Sequence, residues 1–214
     1  GIIDRETELI DFAVSHGTSG IIIFPANQET YNRGLIELSG SNFPIVLIDR
    51  DLPGLGMCCV QTDNREATRL AASHLFDLGH SKIGIASSTP MPTYSISDRI
   101  DGFMNAMKNH KTVIDSNLLF TDLTEPDTQD RLLKAVKDKS ASALICLTQY
   151  DYYIVHQIMM NHSLFPPDDV SLVSIDDPCM NNQFGEKVTH IQQDSKQIAM
   201  SATELLMKMI QNEP

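Results

Sequence analysis

Eight short apolar runs, at 20–24, 44–48, 57–60, 82–86, 117–120, 143–147, 170–175 and 188–191, constrain this chain more than any other feature. Runs such as Gly20-Ile21-Ile22-Ile23-Phe24 and Ala143-Leu144-Ile145-Cys146-Leu147 are apolar at successive positions, so as strands they would bury both faces. A parallel sheet covered by helices needs that pattern, whereas a sheet with one wet face would alternate. Helical periodicity fills the intervals. After Asp63, the residues Ala67, Leu70, Ala71, Leu75 and Leu78 share a face, Glu66 stands three places on as in a capping box, and Gly79 marks the stop. Similar stripes are Ile100, Phe103, Met104 and Met107; Leu132, Leu133 and Val136; Ile154, Val155, Ile158 and Met159; and Ile198, Ala202, Leu205, Leu206 and Met209. Methionines at that spacing fill a core rather than bind a metal. A further helix is expected over 6–15, stopped by Gly17. Strands and helices laid down in βα order make the fold class α/β.

Composition narrows the function. With 42% hydrophobic residues among 214, the chain can bury a real core. A formal net charge of -12 repels phosphate backbones, so this segment is not expected to hold DNA by itself. No apolar run approaches the roughly 20 residues of a membrane helix, and the N-terminus lacks a basic stretch followed by an apolar signal core. The expectation is a cytoplasmic protein with no membrane partner. Cys58, Cys59, Cys146 and Cys179 include no C-x-x-C pair and read as buried, reduced thiols.

Enzyme signatures are missing: the sequence has no G-x-S-x-G elbow, no phosphate loop of the G-x-x-x-x-G-K-S/T kind and no H-E-x-x-H helix. Gly54 and Gly56 follow Pro53, and Cys59 stands where a dinucleotide loop needs its third glycine, so the segment reads as a turn. His74 and His80 flank a helix end, where capping or surface roles outweigh metal binding. No cofactor and no metal are expected.

Polar residues at strand and helix ends are more informative. Asp176 and Asp177 follow the run 170–175, the carboxyl end of a strand, where ligands of open α/β sheets bind and a carboxylate can accept from hydroxyls. A turn in which Asp bonds only local backbone is the competing reading. Arg99 opens the helix striped by Ile100 and Phe103, at the end where the macrodipole disfavours a cation. It therefore needs a partner, either Asp98 or Asp101 nearby or a ligand.

Taken in order, these segments resemble the effector domain of the lactose-repressor (LacI/GalR) family. Ser19-Gly20-Ile21-Ile22-Ile23-Phe24-Pro25 is similar to that family's V-D-G-I-I-x-x-P, and Phe43-Pro44-Ile45-Val46-Leu47-Ile48-Asp49-Arg50 to its I-P-V-V-x-I-D-R. Val60-Gln61-Thr62-Asp63-Asn64 with His74-Leu75-Phe76-Asp77-Leu78-Gly79-His80-Ser81-Lys82-Ile83 resembles V-x-x-D-N … H-L-x-x-L-G-H-x-x-I, the strongest signal in the chain. Ser97-Asp98-Arg99-Ile100-Asp101-Gly102-Phe103 looks like S-x-x-R-x-x-G-F, and Val173-Ser174-Ile175-Asp176-Asp177 like V-x-G-x-D-D. Val188-Thr189-His190-Ile191-Gln192-Gln193-Asp194 is similar to L-T-T-I-x-Q-D. One departure stands out: where the family has A-N-D, this sequence reads Leu147-Thr148-Gln149-Tyr150-Asp151. An ungapped reading puts Thr148 and Gln149 there; a two-residue shift leaves Asp151 as the acid.

The resemblance implies a two-lobed type I periplasmic-binding-protein fold, truncated at both ends, in which two lobes clamp a small sugar or polyol. Lobe one would hold residues 1–86 and 188–211 and lobe two residues 87–187, with crossings near Ser87 and Asn182. Ligand contacts are implied at Asp63, Arg99, Asp176, Gln193, Thr148 and Tyr94. Partners implied are the sugar effector, a second copy of the chain, and operator DNA held through a domain preceding Gly1. The second copy would meet this one through the face near Tyr152, Tyr153 and His156 and the loop 179–184. The stretch Asp49-Arg50-Asp51-Leu52-Pro53-Gly54-Leu55 resembles the arabinose-repressor branch, whose DNA reader is a winged helix of GntR type. A periplasmic or surface-anchored transport receptor shares the fold and is the alternative; an enzyme is disfavoured by the missing nucleophile–base pair.

Overall fold

The computed structural model describes residues 2–26, 32–88, 93–181 and 187–211. Every apolar run becomes a strand: β1 (Ile21–Ile23), β2 (Ile45–Ile48), β3 (Cys58–Val60), β4 (Ile83–Ser87), β5 (Leu119–Thr121), β6 (Ala143–Cys146), β7 (Ser171–Ile175) and β8 (His190–Ile191). All pairings between these strands are parallel, as runs apolar on both faces require. The helices are α1 (Ile2–Ser15), α2 (Arg33–Ser39), α3 (Asn64–Asp77), α4 (Tyr94–Asn109), α5 (Pro126–Lys137), α6 (Gln149–Asn161) and α7 (Ser195–Gln211).

The chain forms two compact units. The first comprises Gly1–Thr62, Thr93–Ser95 and Asp194–Pro214. Its sheet runs β1-β2-β3, α7 lies against all three strands and α1 packs on α2. Ile10, Leu35, Leu38, Ile45 and Leu47 fill the space between them. The short α2 is set by its cap, Asn32, whose side chain accepts from the Leu35 N–H at 2.7 Å while its amide nitrogen donates to Glu6 of α1.

The second unit comprises Asp63–Pro92 and Ile96–Gln193, around a sheet ordered β5-β4-β6-β7-β8. Alternate residues of each strand feed a different core. Ala143 and Ile145 of β6 join Ile83, Ile85, Val173, Leu75, Phe103 and Met107 on one face. Leu144 and Cys146 join Leu172, Leu132, Val136, Val155 and Met159 on the other. Where α4 crosses α3, Gly102 lies against the Arg65 backbone, a contact that no side chain could enter.

The division differs from the expected lobes. Strand β4 pairs on both sides, with β5 and β6, and β8 pairs with β7, so residues 63–87 and 188–193 belong to the second unit and not the first. Apolar runs carry no label for the sheet they join; a central strand such as β4 is assigned only by its two neighbours. Asn182, where a crossing was expected, lies outside the described residues. Tyr152, expected on an interface, is 3% exposed in the core beside Cys146, although Tyr153 of the same helix is 39% exposed. Phe184, at the end of the expected interface loop, also lies outside the described residues.

Two cysteines depart from the buried reading as well. All four are free, but Cys58 and Cys179 are exposed. Burial, with Asp51 and Asp49 adding to it, pushes the Cys59 thiol up to about 12, and burial, with Asp151 adding to it, also raises that of Cys146 well above its ordinary value. An aromatic disulfide reagent at pH 8 should therefore react quickly with Cys58 and Cys179 and with the other two only on unfolding. Rapid release from all four in native buffer would contradict this packing.

Candidate functional site

In a parallel sheet wound on both faces, the carboxyl ends of the strands meet helix N-termini, and ligands bind where the strand order reverses. Here the chain leaves β4 for β5 on one side and returns as β6 on the other, so that point lies between the ends of β4 and β6. Asp151 closes it. This carboxylate is 1% exposed; one oxygen accepts from the Ser88 N–H at 2.6 Å and the other from the Thr148 hydroxyl at 2.9 Å. Thr148 caps α6 in return, its hydroxyl oxygen accepting from the Asp151 N–H at 3.1 Å. In the segment after β6 the buried acid is Asp151. Thr148 holds the cap, and Gln149 is exposed.

Arg99, in the second turn of α4, is 4% exposed. Its Nε donates to Asn64 Oδ1 at 2.8 Å and an Nη donates to the Leu147 carbonyl. Neither acid near it in sequence is its partner: Asp98 and Asp101 pair with Arg65 at 2.8 and 3.2 Å. Arg99 thus ties the start of α3 to the end of β6, one residue from Asp63 on one side and one from Thr148 on the other. Asp63 is the exposed cap of α3, accepting from the Glu66 N–H at 2.9 Å. Glu66 turns to Arg69, with 2.6 Å between Oε2 and Nε, instead of completing the capping box.

The adjacent carboxylates at the end of β7 have separate tasks. Asp177 accepts from the Cys179 N–H at 2.7 Å and lies 4.0 Å from His190 Nε2, which is the turn role. Asp176 sits at a left-handed φ of 74°, its N–H held by the Ile191 carbonyl at 3.0 Å. Its carboxylate accepts no hydrogen bond from the described residues. Aspartate adopts this conformation more readily than most residues, and here it sets the side chain at the carboxyl end of β7. Asp49, at the end of β2 in the first unit, repeats the arrangement: φ is 64° and its N–H donates to the Val60 carbonyl at 3.0 Å. Sequence reasoning passed over Asp49 and Asn64, although the matching Ile48-Asp49 and Ile175-Asp176 pairs were a usable signal.

Gln193 follows β8 and is half-buried, its carbonyl accepting from the Gln192 side chain at 3.2 Å. Tyr94, 52% exposed at the start of α4, groups with the first unit. The second unit therefore brings together Asp63, Arg99 and Thr148, places Asp176 on the strand next to β6, and leaves Tyr94 outside. A groove of about 700 Å³ in the first unit is lined by Leu9, Ala13, Ile22 and Phe24. Its two charged lining residues are engaged elsewhere, Arg5 with Glu8 and Glu6 with the Ala26 N–H and Asn32, so the rest of the lining is apolar and suits a sugar poorly. Among the described residues no set of three or more His, Cys, Asp or Glu could hold a metal ion, and no helix is long and apolar enough to cross a membrane.

A family described as the periplasmic binding protein domain matches residues 3–213. The chain is 24% identical over 216 residues to the arabinose metabolism transcriptional repressor of Geobacillus stearothermophilus, covering 97% of this chain and 59% of that protein. It is 25% identical over 215 residues to the HTH-type transcriptional regulator GalR of Escherichia coli K12, covering 98% and 61%. The chain thus spans about three-fifths of the length of these curated relatives. Among solved structures, a transcription regulator from Lactobacillus plantarum superposes with a TM-score of 0.82 at 20% identity, covering 98% of this chain and 79% of that one. A LacI-family regulatory protein from Chloroflexus aggregans gives 0.80 at 19%, covering 97% and 75%.

Proposed function

The chain belongs to the periplasmic binding protein domain family, and from that membership we propose that it is the effector-sensing part of a cytoplasmic bacterial transcription regulator of LacI/GalR type. Its relatives are transcription regulators, which favours a sensor over an enzyme. The effector is a small sugar or related polyol, bound at the carboxyl edge of the second unit's sheet. The observation that carries this reading is Asp176, a carboxylate fixed by its backbone at that edge and accepting nothing from the described residues. A carboxylate there accepts from hydroxyls, which a sugar offers in quantity and an anion does not.

Around it, Arg99 donates to hydroxyls from a guanidinium already immobilised by Asn64 and Leu147, so little ordering entropy remains to be lost on binding. Asp63 and Thr148 use oxygen lone pairs left over from capping, and Gln193 completes the polar set. Operator DNA is held by a domain outside this chain, since a net charge of -12 disfavours phosphate contact here; a winged helix of the arabinose-repressor branch is our reading of that domain. Two copies associate through the face of α6 that carries the exposed Tyr153 and the half-buried His156, together with the loop that includes Cys179. The effector regulates only by its difference in affinity between two states of the protein, typically about 1–3 kcal/mol.

Calorimetry against pentoses and hexoses tests the ligand class. A sugar should bind, and Asp176→Asn should weaken it about tenfold or more, since hydrogen bonds to charged groups are worth about 1.5–3 kcal/mol. Asparagine tolerates the left-handed backbone, so the fold should survive. Binding of a purine or an amino acid with no response to any sugar would contradict the assignment.

A further inference from the structure

At the carboxyl edge of the first unit's sheet, Phe24 and Pro25 follow β1, and Arg50 follows Asp49 at the end of β2. The Arg50 guanidinium lies over the Phe24 ring with Cζ 4.6 Å from the centroid, and one Nη donates to the Pro25 carbonyl at 3.0 Å. Ring stacking and a hydrogen bond together fix a side chain that otherwise keeps large rotamer freedom. Yet among the described residues no carboxylate pairs with it and no other acceptor takes its remaining N–H groups. Of its sequence neighbours, Asp51 accepts from the Leu52 N–H at 2.8 Å, and among the described residues neither Asp49 nor Asp51 pairs with it.

We propose that this edge holds an oxyanion site built on Arg50, taking the phosphate or carboxylate group of a small molecule. A planar guanidinium fork matches two oxygens of either group, and a fork already clamped on Phe24 and Pro25 binds without the entropy cost of ordering. A tie between β1 and β2 alone would need the single Pro25 bond, not a half-buried cation with donors to spare. The site lies in the first unit and goes beyond the polyol reading, which rests on the second.

Nitrogen-15 NMR of the purified protein, titrated separately with inorganic phosphate and with acetate, tests it. Saturable shifts of the Arg50 Nε–Hε signal and of the Phe24 backbone amide are expected with at least one anion. Response to phosphate alone identifies a phosphate group, and response to both a general oxyanion site. Arg50→Gln should abolish binding, and Arg50→Lys, which keeps the charge and loses the fork, should weaken it about tenfold; the lysine variant decides the matter should the glutamine variant fail to fold. Asp176→Asn should leave anion binding unchanged, which separates this site from the sugar reading. No shift at Arg50 with either anion, or unaltered binding in Arg50→Lys, would overturn the proposal.

Discussion

Alanine at Gly102 should lower the stability of the second unit by about 3 kcal/mol or more, at or above the upper end of ordinary overpacking. Its Cβ would stand 2.8 Å from both Cα and C of Arg65 and closer still to the carbonyl oxygen. Those atoms are the backbone of α3 and cannot rotate away, so α4 must move off α3. That shift would loosen Phe103 and Met107 from Ala71, Ala72 and Leu75, and it would part Arg99 from Asn64. For a protein of this size the melting temperature should fall by about 6–12 °C, at about 2–4 °C per kcal/mol. Gly40→Ala is the control, because its nearest neighbour would be 3.8 Å away. A Gly102 variant that melts within about 1 °C of the parent, on the scale of that same conversion, would refute the close approach.

Arg99→Ala should cost stability as well as binding. Sequence reasoning alone expects the affinity to fall and the fold to remain intact. The structure instead leaves Asn64 Oδ1, on a side chain 3% exposed, and the Leu147 carbonyl without their donor. A buried acceptor stripped of its partner costs about 1–3 kcal/mol, so with two such acceptors the variant should lose about 2–6 kcal/mol in thermal or denaturant unfolding. A double-mutant cycle with Asn64→Ala isolates the bond: the Arg99 substitution should cost less once Asn64 has been removed. Equal cost in both backgrounds would mean that the pair is not coupled, and effector affinity should be measured only where the variant is still folded.

Double-sided burial made the strands legible. A run such as 143–147 can satisfy a parallel sheet and little else; all eight runs became strands, and β4, β6 and β7 divide their residues between two cores. Helix α2 escaped notice because its seven residues are too few for a period to stand out, and its cap depends on Glu6, far back in the chain. The partner of Arg99 was illegible for a related reason. Local spacing favoured Asp98 or Asp101, but Arg65 takes both, and Asn64 approaches from another helix. At the end of β6 the burial of Asp151 was not legible in sequence, because the Ser88 N–H that it accepts from arrives from the end of β4. The different surroundings of Asp176 and Asp177 depend on backbone geometry, which composition does not record.

Amide chemical shifts of the labelled protein under titration with L-arabinose, D-ribose and D-galactose test the central claim most directly. If a polyol effector occupies the carboxyl edge of the second unit's sheet, at least one of these sugars should produce saturable shifts concentrated at Ser88, at residues 147–151 and at Asp176, and Asp176→Asn should diminish them. Shifts confined to the apolar groove lined by Leu9, Ala13 and Ile22, or a protein that responds to purines or amino acids and to none of the sugars, would contradict it.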